Sequence, residues 1–188
     1  MKDIAMQRQQ GFTLVEIAIV LVIIGLLLGG VLKGQSLIDS AKAKNIIQQA
    51  NALSAAVNAY QDKFHALPGD DAMATSHLDG ATVNGNGDGQ ITEYLSAPQH
   101  LALAGFITGK YNGSTDHMTS AQGGAVYIYN DAVGGRAGNG IRFDNLPDTL
   151  AQQLDAALDD GVADTGSVRA SAPYTNKGII IARTAVFF

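Results

Sequence analysis

The pattern of hydrophobic and polar positions divides the chain into four segments. Residues 1–11 are short and polar. From Phe12 to Leu32 the chain reads FTLVEIAIVLVIIGLLLGGVL; only Thr13 and Glu16 interrupt it, and Ile17 to Leu32 carries no polar side chain. A helix over this run spans roughly 31 Å at ~1.5 Å per residue, about one hydrocarbon core, which predicts a membrane-spanning segment. Residues 33–64 are dominated by Ala, Gln, Asn, Lys and Leu and contain no Pro. Their apolar positions recur at Ile46, Ala50, Leu53, Val57, Tyr60 and Phe64, one face of a helix. Leu67-Pro68-Gly69-Asp70 then stops it. The spacing predicts one helix from Phe12 to about Phe64, roughly 80 Å long. Its outer half is amphipathic and needs a surface to lie against.

The remaining residues, 65–188, hold short and mixed elements. Residues 68–90 read as an extended surface loop, with Pro68-Gly69-Asp70-Asp71 and Asn84-Gly85-Asn86-Gly87-Asp88-Gly89 as turn signals. A short helix is expected from Pro98 to Ala104, ended by Gly105. Ala125 to Tyr129 reads as a strand, with Gly140 to Phe143 as its neighbour. Pro147 opens a helix carrying Leu150, Leu154, Ala157 and Leu158 on one face, capped by Gly161. Val168–Ala170 and Ile179–Phe188 complete the strands. The predicted fold class is α+β: a long N-terminal membrane-spanning helix packed against a small antiparallel β-sheet head. The domain organisation follows as leader 1–11, transmembrane helix 12–32, amphipathic half of the stem 33–64, and globular head 65–188.

Composition sharpens this division. The chain has 188 residues, 15% charged, with a formal net charge of −5. The head holds 17 of the 22 glycines and carries six Lys/Arg against thirteen Asp/Glu. No basic field for nucleic acid exists. With no cysteine, disulfides, thiolate metal sites and cysteine nucleophiles are excluded.

Glu16 is the chemically odd residue. A carboxylate inside a membrane helix costs on the order of 2.5–3.5 kcal/mol on insertion scales, and such a residue usually has a partner. A cut between Gly11 and Phe12 would place a new α-amino group about one helical turn from it. A neighbouring chain in a packed assembly would offer the same positive group. A charge pair formed only inside an oligomer would offset the desolvation and set the stagger between subunits.

Gly11-Phe12-Thr13-Leu14-Val15-Glu16, after a short charged leader and before a long apolar run, resembles the signal of type IV pilins and type II secretion pseudopilins. The resemblance implies a pilin-like fold. It implies that a prepilin peptidase cuts after Gly11 on the cytoplasmic side and N-methylates Phe12, and that Glu16 pairs with the N-terminus of an adjacent subunit. The implied partners are the chain itself and other pilin-like subunits, the peptidase and an inner-membrane assembly platform. The implied location is the bacterial inner membrane, single pass with the head outside the cytoplasm, then a periplasmic or extracellular filament. Leu67-Pro68-Gly69-Asp70-Asp71, Asn84 to Gly89, His100-Leu101-Ala102-Leu103-Ala104-Gly105 and Asp159-Asp160-Gly161 are also similar to pieces of some pilin-like heads. Two departures stand out. The proline that kinks many pilin stems is absent, and Gly29, Gly30 and Gly34 occupy that neighbourhood. The disulfide of many major pilins is absent too, which leaves pseudopilins and minor pilins open.

Other candidate chemistry is sparser. Asn84, Asn86, Asp88 and Gln90 stand at the oxygen positions of an EF-hand-like calcium loop, with Gly89 at the sharp turn. Glu93 falls two residues short of the bidentate position, so calcium is the one cofactor considered, and a weak one. The same residues fit a Gly/Asn turn that needs left-handed backbone. His65, His77, His100 and His117 are scattered, without metal-ligand spacing, and read as surface or capping residues. Asp159-Asp160 reads as a solvated helix end, and Gly134 to Gly140 as a hairpin loop lacking the Lys-Ser/Thr of a phosphate loop. No catalytic constellation is visible, so an enzyme is not expected. The competing readings are a secreted protein with an ordinary signal peptide cut near Gly29-Gly30, and a permanently anchored binding protein with a weak calcium loop. Against the first, the apolar run exceeds the usual ~7–15 residues and carries Glu16 near its start.

Overall fold

A computed structural model describes residues 11–188. Helix α1 runs over Leu14–Phe64, 51 residues, unbroken through Gly29, Gly30 and Gly34. It is followed by α2 (Ala74–His77), α3 (Ala97–Leu103), β1 (Met118–Thr119), β2 (Ala125–Val133), β3 (Arg136–Pro147), α4 (Asp148–Leu158), β4 (Val168–Ala170) and β5 (Ile180–Phe187). The chain divides into two compact units, the first ending at Ser40 and the second covering Ala41–Phe188.

None of the described residues of the first unit is buried. The hydrophobic side chains of its apolar run, from Phe12 to Leu32, stand exposed, Leu14 and Leu26 among them. A helix this apolar and this bare is stable in lipid, not in water.

The second unit is built on a five-stranded sheet of order β1-β2-β3-β5-β4, antiparallel throughout. Strands β2 and β3 meet at a two-residue turn, Gly134-Gly135, whose φ values of 56° and 79° are those of the primed turns that match strand twist. Both strands are longer than the sequence suggests. The glycines of 134–140 mask pairing that continues to the turn itself, and Gly140 lies against the Val186 carbonyl where a Cβ would come within 2.7 Å. The last strand, β5, does not take an edge: it lies between β3 and β4.

Alternation sorts the sheet's two faces. Val126, Ile128, Ile141 and Phe143 point inward and are fully buried. They share one core with Ile46, Ala50, Leu53, Val57 and Tyr60, the predicted stripe of α1. Each such aliphatic or aromatic side chain contributes about 1.5–3 kcal/mol on burial, so this stripe holds the outer half of α1 to the sheet. On the other face Arg142 bridges Asp131 and Asp144 and lies over the rings of Tyr127 and Tyr129.

Aspartates pin the loops. Asp70 accepts the amides of Gly87 and Asp88 on Oδ1 and that of Gly89 on Oδ2. Gly85 packs so closely on Asp70 that a Cβ would sit 2.2 Å from its carbonyl carbon. His100 is fully buried: its Nδ1 accepts the Gly69 amide, so Nε2 carries the proton and donates to Val83 O. Burial pushes the imidazole's pKa down and keeps it neutral. Most of residues 68–90 is exposed, in keeping with a surface loop, but the segment is anchored at its start. Pro68 to Asp71 are buried, and α2, absent from the sequence reading, forms inside the segment.

Asp148 holds the loop before β5, accepting the Thr175 amide, the Thr175 hydroxyl and the Lys177 amide on Oδ2 and the Gly178 amide on Oδ1. Burial alone would raise its pKa, but these donors outweigh it and bring the carboxyl to about 2. A carboxyl depressed in the folded state stabilises fully above its unfolded pKa of 3.8 and loses that contribution as pH falls toward 2. Thermal melts followed by circular dichroism at pH 7, 4 and 2 should show stability dropping mainly between pH 4 and 2. Asp148→Asn should be less stable at pH 7 with a shallower acid drop; an unchanged pH profile would contradict this assignment.

Candidate processing and assembly site

Thr13 and Glu16 form a capping box. The Thr13 amide and hydroxyl both donate to Glu16 Oε2 at 2.8 Å, and the Glu16 amide donates to Thr13 Oγ1 at 3.3 Å. The first helical hydrogen bond here runs from the Ile17 amide to Thr13 O. The box fixes the start of α1 at Leu14, two residues later than apolarity alone suggests, because Thr13 offers the helix a side-chain acceptor and Glu16 returns one. Gly11 and Phe12 consequently lie outside the helix, both exposed.

Two features of this geometry bear on function. A Cβ built at Gly11 meets nothing within 4 Å, so the fold of the described residues does not require glycine there. Nothing among the described residues accounts for its smallness. At Glu16 both capping bonds fall on Oε2, and Oε1 has no partner among the described residues. One carboxylate oxygen thus stays open to an incoming cation without dismantling the helix cap.

The side-chain oxygens of the calcium-loop segment accept backbone amides. Asn84 Oδ1 accepts the Thr75 amide, Asn86 Oδ1 the Asp88 amide, and Asp88 Oδ1 the Gln90 amide. Gln90 is exposed, and Glu93 accepts only the neighbouring Thr92 hydroxyl. The loop turns its amides inward onto the Asp70 carboxylate. Gly87 and Gly89 have φ of 74° and 85°, the left-handed backbone of the alternative turn reading. Among the described residues, the acidic groups whose oxygens cluster within 4.8 Å are Asp155, Asp159 and Asp160. There the Tyr174 hydroxyl and Gly161 amide bond Asp155, the Ser167 and Val168 amides bond Asp159, and the Val162 amide bonds Asp160. These contacts tie the end of α4 to the turn that follows.

A network the sequence did not reveal joins α1 to α2. Asp71, buried, accepts the Tyr60 hydroxyl at 2.6 Å and His77 Nε2 at 2.8 Å on Oδ2, and the Met73 amide on Oδ1. Burial pushes the Asp71 carboxyl up, but these donors and the nearby His77 outweigh it and hold it below its ordinary value. Tyr60 was legible only as a packing residue. Its hydroxyl partner is eleven residues away, past the helix-ending Pro68-Gly69.

Residues 6–32 match the family model of the prokaryotic N-terminal methylation motif. The match covers the end of the leader, the capping box and the apolar run; residues 6–10 lie outside the described structure. No curated protein and no solved structure matches the chain. A structural family, a bare apolar helix and a non-helical Gly11–Phe12 bond agree: the chain carries the prepilin-type signal of type IV pilins and pseudopilins, that of a membrane-anchored substrate of prepilin peptidase.

Proposed function

We propose that this chain is a structural subunit that polymerises into a type IV pilus or a type II secretion pseudopilus. Prepilin peptidase removes residues 1–11 on the cytoplasmic face of the inner membrane and N-methylates Phe12. The head stands outside the cytoplasm. An inner-membrane platform then gathers the apolar stems, with like and related subunits, into a filament core.

The observation that carries this reading is the pairing of a bare apolar helix with a carboxylate at its start. The exposed run from Leu14 to Leu32 has no partner among the described residues, so lipid or other stems would cover it. Glu16 keeps Oε1 open where a neighbour's N-terminal ammonium would complete the pair. An anchor alone would not call for a carboxylate at that depth.

The chain's lack of cysteine makes the test clean. Pairs of cysteines placed along Leu14–Leu32 and oxidised in membranes containing the assembly machinery should give a ladder of multimers. Monomer alone across all pairs would contradict polymerisation and leave the anchored-protein reading.

A further inference from the structure

The outer face of the sheet carries every arginine of the head: Arg136 and Arg142 on β3, Arg169 on β4 and Arg183 on β5. Two of them are neutralised there. Arg142 pairs with Asp131 and Asp144, and Arg183 with Asp131. Arg136 and Arg169 have no carboxylate partner among the described residues, in a head with thirteen acidic side chains. Asp160 feels Arg169 only from a distance; its pKa is lowered mainly by the Thr165 hydroxyl and the Val162 amide.

The two unpaired guanidiniums are nevertheless held together. Arg136 Nη1 donates to Gly166 O at 3.1 Å and Arg169 Nε donates to the same oxygen at 3.0 Å, so these nitrogens lie within about 6 Å of each other. Arg169 Nη1 also donates to Gly134 O at 3.2 Å, and the Arg136 guanidinium lies over the Phe187 ring, 5.0 Å from its centre. Glycine makes the approach possible. A Cβ at Gly134 would come within 2.9 Å of Ala170 O and 3.0 Å of Ala163 O, so a side chain there would lift the β2–β3 turn off β4. A guanidinium has five N–H donors. Arg136 uses one on the protein and Arg169 two, and both side chains are half-buried.

Like charges this close repel, and no carboxylate of the described chain relieves them. Two fixed cations with spare donors match a dianion that offers several acceptor oxygens. A phosphate monoester, with three free oxygens and a charge of about −1.5 to −2, has that chemistry. A diester carries one charge and leaves one guanidinium uncompensated. We propose that Arg136 and Arg169 form a binding site for a phosphate monoester group on the outer face of the head, between the β2–β3 turn and β4.

The test titrates the full chain, in maltoside micelles and Tris-chloride buffer, with inorganic phosphate in a calorimeter. The expected result is one saturable equivalent. Affinity should fall at least about tenfold in Arg136→Gln and in Arg169→Gln, and stay within about twofold in Arg183→Gln, whose charge already has a partner. Phosphate should raise the melting temperature of the native chain and of Arg183→Gln, but not of the two site variants. Where a glutamine variant does not melt cooperatively, Arg136→Lys and Arg169→Lys replace it: they keep the charge, lose the fork, and should also bind more weakly. Phosphatidic acid, a monoester lipid, added to the micelles distinguishes the sources. Its competition with phosphate assigns the site to a lipid headgroup, and no competition assigns it to a soluble monoester. No saturable binding, unchanged affinity in the folded site variants, or equal competition by the diester lipid phosphatidylglycerol would each overturn the proposal.

Discussion

Replacing Glu16 with leucine should abolish the cross-linked ladder while leaving the chain in the membrane. Leucine lengthens the apolar run, so anchoring is kept or strengthened. What disappears is the one charge at the start of the stem and half of a capping box worth about 0.5–2 kcal/mol at the helix start. Glu16→Gln separates these two losses. Glutamine still serves in a capping box but carries no charge. If a charge pair between subunits drives registration, Glu16→Gln fails to assemble as Glu16→Leu does. Assembly restored by glutamine would show that the cap, not the charge, is what matters. The readout is the ladder on a non-reducing gel, beside a carbonate wash that reports membrane retention.

Removing the last nine residues, 180–188, should unfold the head. Strand β5 lies between β3 and β4, paired with β3 from Pro147↔Ile180 to Gly140↔Phe187 and with β4 over three residues. Ile181, Thr184, Ala185 and Phe187 are buried. Without β5 the sheet loses its join to β4, and Ile141 and Phe143 lose the strand beside them. A domain's whole stability is about 5–15 kcal/mol, and the pairing and burial of a central strand exceed that margin. Circular dichroism should show no cooperative melt, and limited proteolysis should degrade the chain beyond α1. Deleting Phe188 alone should change little, since it is exposed and outside the strand. A protease-resistant truncated head would contradict the assigned topology.

Some of this structure is written locally in the sequence and some is not. The stripe from Ile46 to Tyr60 was legible because helical period and burial depend on residues three and four apart; Phe64, at its end, is only partly covered. The helix start was legible in principle: Thr13 and Glu16 stand at capping-box spacing, and weighing that pattern above apolarity places the start at Leu14. Helix α2 was not, since Ala-Thr-Ser-His has little helical propensity and Asp71 holds its entry through the Met73 amide. The segments around Asp70, Gly87 and His100 each stood out as turn or helix signals. Their union did not, because an aspartate bonding amides 17 to 19 residues away leaves no periodic trace. For the same reason His100, read as a surface or capping residue, is a buried neutral imidazole with both nitrogens engaged. In a head without disulfides, aspartates at 70, 148, 155 and 159 do the stapling. At the N-terminus the functional signal was legible because it is short, contiguous and read by an enzyme, and Gly11 is small for no reason within the described fold.

The most direct measurement is mass spectrometry of the N-terminal peptide of the protein purified from membranes that contain prepilin peptidase. The account predicts a chain that begins at Phe12 and carries one methyl group on its α-nitrogen. A start near residue 30, or an intact residue 1, would contradict it.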